Sequence, residues 1–136
     1  MLTIGKAAAQ ARVTPDTLRY YEREGLIQPA DKTASGYRLY DHEQVRRLKF
    51  IRQAQECGFA LADIRTLLAV RAQPAACCGD VRQVAIEKKL QIEGKIRTMK
   101  AMSRALDSLI ADCASETMPV GDCPILAALD KAAARA

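Results

Sequence analysis

The stretch that decides the fold lies at positions 14–22 and reads TPDTLRYYE. It has a threonine suited to an N-cap, a proline at the first helical position and an acid in the first turn. Gly25 follows at a position where helices commonly end, because glycine readily adopts the left-handed conformation found there. The stretch therefore predicts a helix that runs from Thr14 to about Glu24.

A second short helix is predicted directly upstream, at positions 3–10. Thr3 is its candidate N-cap, and Ile4, Ala7 and Ala8 give it one apolar face. Only residues 11–13 remain to connect the two helices, which leaves room for a tight turn. Two short helices joined in this way are typical of a helix-turn-helix.

Downstream of this pair, the sequence predicts a hairpin and two more helices. Ser35-Gly36 indicates a tight reversal, and positions 37–40, YRLY, alternate as a short strand does. Such a hairpin would form a wing beside the helix-turn-helix. Asp41 is the expected N-cap of a helix that ends near Cys57, and another apolar helical face follows before Pro74.

One long helix is predicted from about Asp80 to Asp112, without an internal proline. Apolar side chains recur along it at alternating steps of four and three residues, which is the pattern of a coiled-coil seam. The seam positions are Ala85, Lys89, Ile92, Ile96, Met99, Ser103, Leu106, Ile110 and Cys113. A helix of roughly 50 Å cannot bury such a stripe against the N-terminal region alone. Pairing with a second copy of the chain is favoured over a monomer in which the helix folds back.

Charge and composition limit the classes of function that we expect for this chain. The 136-residue chain has a formal net charge of +5, and its first 71 residues hold twelve Lys and Arg against eight acids. This excess is expected of a protein that binds a polyanion. No apolar run approaches a membrane span and no signal peptide is evident, so we expect a cytoplasmic protein with reduced thiols and no membrane partner.

Side chains suited to nucleic acid cluster on the second helix and the wing. Arg19 and Tyr20 lie beyond the first turn of that helix, while Leu18 and Tyr21 face inward. A guanidinium there can reach a phosphate or a guanine edge, and a tyrosine can donate to phosphate. The wing adds Lys32, Tyr37 and Arg38. The alternative is a solvated basic helix with no ligand.

These segments together resemble the MerR family of regulators. The resemblance is carried by TLRYYEREGL at 17–26, YRLY at 37–40 and LKFIR at 48–52 followed by Gly58-Phe59, and it extends from about Leu2 to Leu129. It implies a mainly α fold with a winged helix-turn-helix head and a long dimerisation helix that forms an antiparallel coiled coil. The corresponding segments are 1–74 for the DNA-binding head with its linking helices, 75–112 for the dimerisation helix and 113–136 for a metal-binding loop and short C-terminal helix.

The resemblance also implies a mechanism and partners. Members of this family bind promoters whose spacer is too long for RNA polymerase, and effector binding leads them to kink and untwist that DNA. A homodimer, double-stranded promoter DNA and RNA polymerase are therefore the implied partners. Carried over to this sequence, the DNA contacts are Arg19, Tyr20, Tyr37 and Arg38, with Thr14 and Lys32 as additional candidates.

Cysteines flank both ends of the long helix. Cys77 and Cys78 precede it and Cys113 and Cys123 follow it, so one chain holds the two groups too far apart to share an ion. In the antiparallel dimer that the resemblance implies, Cys78 would meet Cys113 and Cys123 of the partner subunit. Three thiolates suit a soft metal ion. Cys77 is either a further ligand or an exposed neighbour of the true ligand.

The motifs CGDV at 78–81 and CPIL at 123–126 resemble the metal-sensing branch of the family, in which a cysteine before the long helix marks sensors of divalent ions. The single histidine, His42, is expected on the surface or in a helix cap. Without imidazole, the ligand set favours cadmium or lead, then zinc, since zinc sites can be all thiolate. Mercury ranks third because the loop between Cys113 and Cys123 is longer than expected for a mercury sensor.

The sequence therefore predicts a metal-responsive regulator that activates a metal-resistance or efflux promoter. A mercury-responsive regulator or a thiol-redox switch that uses Cys77 and Cys78 are the alternatives, and a structural zinc dimer also stays open. An enzyme is not expected, because the chain has no Cys-x-x-Cys, no base near a cysteine and no cofactor-binding loop. Cys57 is predicted to be a buried small apolar residue.

Overall fold

The computed structural model describes every residue from Met1 to Ala136, and most of them are helical. The helices are α1 Ile4–Gln10, α2 Pro15–Arg23, α3 His42–Glu56, α4 Leu61–Arg71, α5 Cys78–Asp112 and α6 Pro124–Ala134. The strands are β1 Leu2–Thr3, β2 Asp31–Lys32 and β3 Arg38–Tyr40, and Val120–Asp122 forms one 3-10 turn. The chain divides into two compact units, Met1–Lys88 and Lys89–Ala136. The predicted mainly α fold with a winged helix-turn-helix and a long helix is confirmed.

Local capping chemistry sets the bounds of α2. The Thr14 hydroxyl accepts a hydrogen bond from the Thr17 N–H at 3.1 Å, and Pro15 occupies the first helical position. Gly25 ends the helix with φ +75°, a conformation that glycine adopts without steric cost. Arg12 also has a positive φ, +58°, in the turn that joins α1 to α2. The tight turn and the caps together hold the two helices as a helix-turn-helix.

The wing is part of a three-stranded antiparallel sheet with the order β1-β3-β2. Lys32 pairs with Arg38 across the hairpin, and Leu2 pairs with Tyr40 on the other side of β3. Strand β1 was not predicted, because two residues show no periodicity and the segment resembles a helix start. Its pairing joins the N-terminus to the base of the wing.

The core of the first unit lies among α1 to α4 and the sheet. Its fully buried large side chains are Leu18, Ile27, Tyr40, Val45, Leu48, Ile51 and Ile64. Asp41 caps α3 as predicted, by accepting a hydrogen bond from the Gln44 N–H at 2.9 Å. The core therefore holds the inner faces of α2 and β3 and leaves their outer faces to solvent.

The prediction that Cys57 is buried is wrong, because its side chain is exposed. Helix α3 ends at Glu56 and the chain reverses at Gly58, where φ is +97°. Cys57 is the C-cap residue at this end of α3, so it follows the last helical turn instead of lying on the buried face of the helix.

Helix α5 is continuous over 35 residues, and its predicted seam is open to solvent. Ile96 is 47% exposed and Met99 is 68% exposed, and Ile92, Leu106 and Ile110 are exposed as well. Exposed apolar stripes of this kind mark interaction surfaces. None of the helices is long and apolar enough to cross a membrane.

Candidate nucleic-acid interface and metal-ligand cysteines

The outer face of α2 presents a positive and aromatic surface. Arg19 and Tyr20 are exposed, whereas their neighbours Leu18 and Tyr21 are buried in the core. The Arg19 guanidinium donates to the Asp16 carboxylate at 2.7 Å along the same helix face. This contact holds Arg19 against the helix surface in the free protein, and both groups are exposed enough for Arg19 to exchange this partner for a phosphate.

The wing extends this surface beyond the helix. Lys32 and Tyr37 are exposed, and Tyr37 is 72% accessible at the start of the returning strand. The Tyr37 N–H donates to the Thr33 hydroxyl at 3.0 Å, which orders the turn that carries it. Arg38 lies on β3 with its guanidinium toward α2. The side chains that the sequence predicted as DNA contacts on the helix and on the wing therefore lie within one structural unit.

Glu22 joins the wing to α2. One of its carboxylate oxygens lies 3.2 Å from Nε of Arg38, and the other accepts a hydrogen bond from the Tyr40 hydroxyl. Its side chain is only 11% exposed. Burial raises the pKa of Glu22, and the neighbouring guanidinium groups of Arg38 and Arg19 oppose that rise. One carboxylate thus fixes the orientation of the wing relative to the helix.

Sequence reasoning did not identify Glu22 as a functional residue, although it lies within the motif that carries the family resemblance. An acidic residue between basic residues indicates only local charge balance. The two partners of Glu22 lie 16 and 18 positions away in the sequence. The available signal was an acidic residue in the middle of a surface predicted to bind a polyanion. The Thr14 hydroxyl serves as the N-cap of α2, as the sequence predicted.

Glu22→Gln is expected to weaken promoter binding several-fold, about 1 kcal/mol of the binding free energy, because the wing arginine loses its ionic partner. Fluorescence anisotropy with a labelled promoter fragment measures this. Glu43→Gln is the matched control, since Glu43 forms an exposed ion pair with Arg46 and the substitution changes the net charge equally. Equal affinities for the two variants would contradict a positioning role of Glu22.

The cysteines lie at the ends of helices. Cys78 is the first residue of α5 and is exposed, as is Cys77, whose backbone N–H donates to the Asp80 carboxylate at 2.9 Å. Cys113 follows the last residue of α5, and Cys123 is the N-cap residue of α6, with both side chains half-buried. All five cysteines of the chain are free thiols. The predicted ligands are therefore accessible or nearly so.

The electrostatics of two of these positions suit a bound thiolate. Helix N-termini carry a partial positive charge that favours nearby anions. Cys78 is at the N-terminus of α5 and Cys123 at that of α6. The donor set thus fits a soft divalent ion, which prefers thiolate ligands.

A single chain does not assemble a complete metal site. No group of three or more His, Cys, Asp or Glu side chains lies close enough together to hold an ion. The continuous α5 keeps Cys78 and Cys113 at its opposite ends. Cys78 and Cys113 therefore do not share an ion within one chain.

Comparisons with known proteins cover nearly the whole chain. Residues 2–70 match the family described as "MerR HTH family regulatory protein", and residues 45–109 match the one described as "MerR, DNA binding". The chain is 37% identical over 134 residues to the HTH-type transcriptional regulator ZntR of Escherichia coli (strain K12), with 98% of this chain and 95% of that protein covered. These relatives are transcriptional regulators and not enzymes.

Two further comparisons concern named metals. The chain is 40% identical over 128 residues to the mercuric resistance operon regulatory protein of Bacillus cereus, with coverage of 94% and 96%. Its fold is similar to the crystal structure of the transcription regulator PbrR691 from Ralstonia metallidurans CH34 in complex with lead(II). That match has a TM-score of 0.83 and 34% sequence identity, and covers 95% of this chain and 99% of that one.

Proposed function

This chain belongs to the MerR family of helix-turn-helix transcriptional regulators, in its heavy-metal-sensing branch, and on that premise we propose that it is a dimeric activator of a metal-resistance or efflux promoter. The observation that carries the proposal is the placement of free thiols at the two ends of one long helix, Cys78 and Cys113, and at the N-terminus of α6, Cys123, together with the uncovered apolar seam of the long helix. The switch ion proposed is divalent and soft.

Promoter binding rests on α2 and the wing. Arg19 and Tyr20 would enter the major groove with α2, as recognition helices do, while Tyr37, Arg38 and Lys32 would contact the flanking backbone. Thr14, at the N-terminus of α2, would lie nearest the phosphates. The basic excess of the first 71 residues supports binding of DNA by this region.

Dimerisation rests on the seam of α5. Its apolar side chains are exposed in the single chain, and a second copy in antiparallel orientation would cover them by symmetry. The same orientation would bring Cys78 to Cys113 and Cys123 of the partner subunit. We therefore assign dimerisation to the segment 75–112, which contains α5, and metal binding to the segment 113–136.

A metal held by both subunits supplies a cross-link between them that prefers one dimer geometry. Cys78, Cys113 and Cys123 would hold the ion, and Cys77 is a further candidate beside Cys78. A protein can deform its DNA only by binding the deformed and undeformed shapes with different affinity. The cysteines thus select the dimer geometry, and the two DNA-binding heads transmit it to the promoter on which RNA polymerase acts.

We rank cadmium or lead first as the inducing ion, zinc second and mercury third. The ligand set contains no imidazole, since His42 is exposed at the start of α3 in the DNA-binding head. An all-thiolate set favours the softer ions, and zinc is compatible with it.

Metal titration of the reduced protein tests this proposal. Thiolate-to-metal absorption in the ultraviolet is followed with cadmium, lead, zinc and mercury in competition, for the wild type, Cys78→Ser and Cys57→Ser. We expect saturation at one ion per site, loss of the bands in Cys78→Ser, and no change in Cys57→Ser, which removes an exposed thiol from the head. Bands that do not depend on Cys78 would contradict the proposed site.

The adjacent exposed thiols of Cys77 and Cys78 favour one alternative, a redox switch on the same DNA-binding head. In that case a change of reductant would alter transcription in metal-free solution. The proposed metal sensor would show no such response.

A further inference from the structure

Lys88 is a charged residue of α5 that the first unit buries. It is 9% exposed, and its ammonium group lies 2.9 Å from the Asp63 carboxylate of α4. Burying a charge costs free energy unless it is paired, so this position needs the partner that α4 provides. The lysine follows Cys78 by ten residues, nearly three helical turns.

Asp63 holds Lys88 from the first turn of α4. The same carboxylate accepts a hydrogen bond from the Ala60 N–H at 2.8 Å, which caps the helix. The hydrogen bond from Lys88, followed by that from Ala60, lowers the pKa of Asp63. Asp63 is therefore ionised at neutral pH, and it fastens α5 to the N-terminus of α4.

Arg65 connects α4 to the recognition helix. Its guanidinium donates to the backbone carbonyl of Glu24 at 2.6 Å and to the Glu24 carboxylate at 2.7 Å. Glu24 is the C-cap of α2, so Arg65 satisfies a carbonyl at the end of the helix that carries Arg19 and Tyr20. Ile64, between Asp63 and Arg65, is fully buried, which fixes α4 within the head.

We infer that α4 transmits the position of α5 to α2, through the Lys88–Asp63 contact on one side and the Arg65–Glu24 contact on the other. The inference rests on the proposed function, because it names the positioning residues through which the metal-bound dimer geometry reaches the DNA-binding surface. Two ion pairs on one turn of α4 form a continuous physical link, and such links can carry coupling between sites. These residues are not among the proposed DNA contacts or metal ligands.

Lys88→Met is the main test variant. Methionine keeps most of the stem that packs in the head, and Asp63 keeps its bond to Ala60, so the fold is expected to persist. We expect the affinities of this variant for metal and for the promoter to be close to those of the wild type. We expect its metal-induced transcription to fall roughly tenfold, which is within the range typical of coupling between two sites. Arg65→Met removes the contact between α4 and Glu24, and we expect it to lower induction as Lys88→Met does.

Two controls separate transmission from general damage. Lys100→Met removes the same charge from an exposed position on α5, and we expect unchanged induction. Lys88→Arg keeps the charge beside Asp63 and is expected to restore most of the induction. Wild-type induction in Lys88→Met would overturn the inference, and so would equal losses of induction, metal affinity and promoter affinity.

Amide hydrogen exchange of the metal-free protein tests the link from α5 through α4 to α2, and this test does not depend on metal sensing. Lys88→Met is expected to speed amide exchange at the C-terminal end of α2, to which Lys88 is linked through Asp63 and Arg65 of α4, while Lys100→Met is expected to leave that exchange unchanged. Unchanged α2 exchange in Lys88→Met would overturn the inference even if the wild type responds to metal. Conversely, faster exchange in a protein that binds no metal would disprove the proposed function and leave the link standing.

Discussion

Cys113→Ser is expected to abolish metal-induced transcription and leave promoter binding intact. A serine hydroxyl does not replace a thiolate toward a soft ion, so one of three proposed ligands is lost. Loss of an outer-shell partner alone costs up to about 100-fold in metal affinity, and loss of a direct ligand should cost more. Run-off transcription with purified RNA polymerase, together with competition titrations of the ion, measures both effects.

The matched control is Cys57→Ser, the same substitution at an exposed thiol in the head. It is expected to behave as the wild type in transcription and in titration. Promoter binding by Cys113→Ser, measured by anisotropy, should equal that of the wild type because Cys113 lies outside the DNA-binding unit. Full induction in Cys113→Ser would remove Cys113 from the site, and a parallel loss of promoter binding would indicate a structural role.

The second large effect is expected from the double substitution Ile96→Asp, Met99→Asp. These side chains lie on the seam of α5 and are exposed in the single chain, so a dimer is what would bury them. Burial of one such side chain contributes about 1.5–3 kcal/mol to the stability of the dimer. Each position occurs twice in a symmetric dimer, so each substitution acts twice. Four carboxylates placed in the seam should weaken the dimer more than roughly 100-fold. Sedimentation velocity should then show monomers, and promoter binding should disappear.

Leu90→Asp is the control for the seam. Leu90 is also apolar and 59% exposed, but it lies on the opposite side of α5 from the seam positions. We expect this variant to remain dimeric and to bind the promoter. A dimeric Ile96→Asp, Met99→Asp protein would show that another surface holds the subunits together.

Much of the fold was predictable because its signals are local. Thr14, Gly25 and Asp41 act on backbone groups a few residues away, and the structure places them as helix caps and a helix end. The length of α5 followed from an uninterrupted apolar period. Such features need no knowledge of the tertiary structure.

The parts that sequence reasoning missed depend on distant partners. Strand β1 exists because Leu2 pairs with Tyr40, and no pattern within two residues reveals that. Glu22 is a positioning residue because the wing folds back onto α2, and the buried Lys88 meets Asp63, which lies 25 positions away in the sequence. Cys57 was expected in the core because a free cysteine is usually a small buried apolar residue, whereas the structure exposes it at the end of α3.

The candidate site also has a part that could be predicted from the sequence and a part that depends on distant partners. The cysteines could be placed at helix ends from the sequence, and the structure has Cys78 and Cys123 at helix N-termini. The identity of the ligands that meet remains a prediction, because it depends on a second chain. The DNA-binding residues likewise await a measurement with the promoter.

Metal binding by mixed dimers tests whether each metal site is shared between the two subunits. Chains carrying Cys78→Ser are combined with chains carrying Cys113→Ser and Cys123→Ser, and the purified mixed dimer is titrated with cadmium or lead. If each site takes Cys78 from one subunit and two thiolates from the other, the mixed dimer regains one site of wild-type affinity that neither parent dimer has. A mixed dimer without such a site, or a Cys78→Ser parent that binds as the wild type does, would contradict the cross-subunit site.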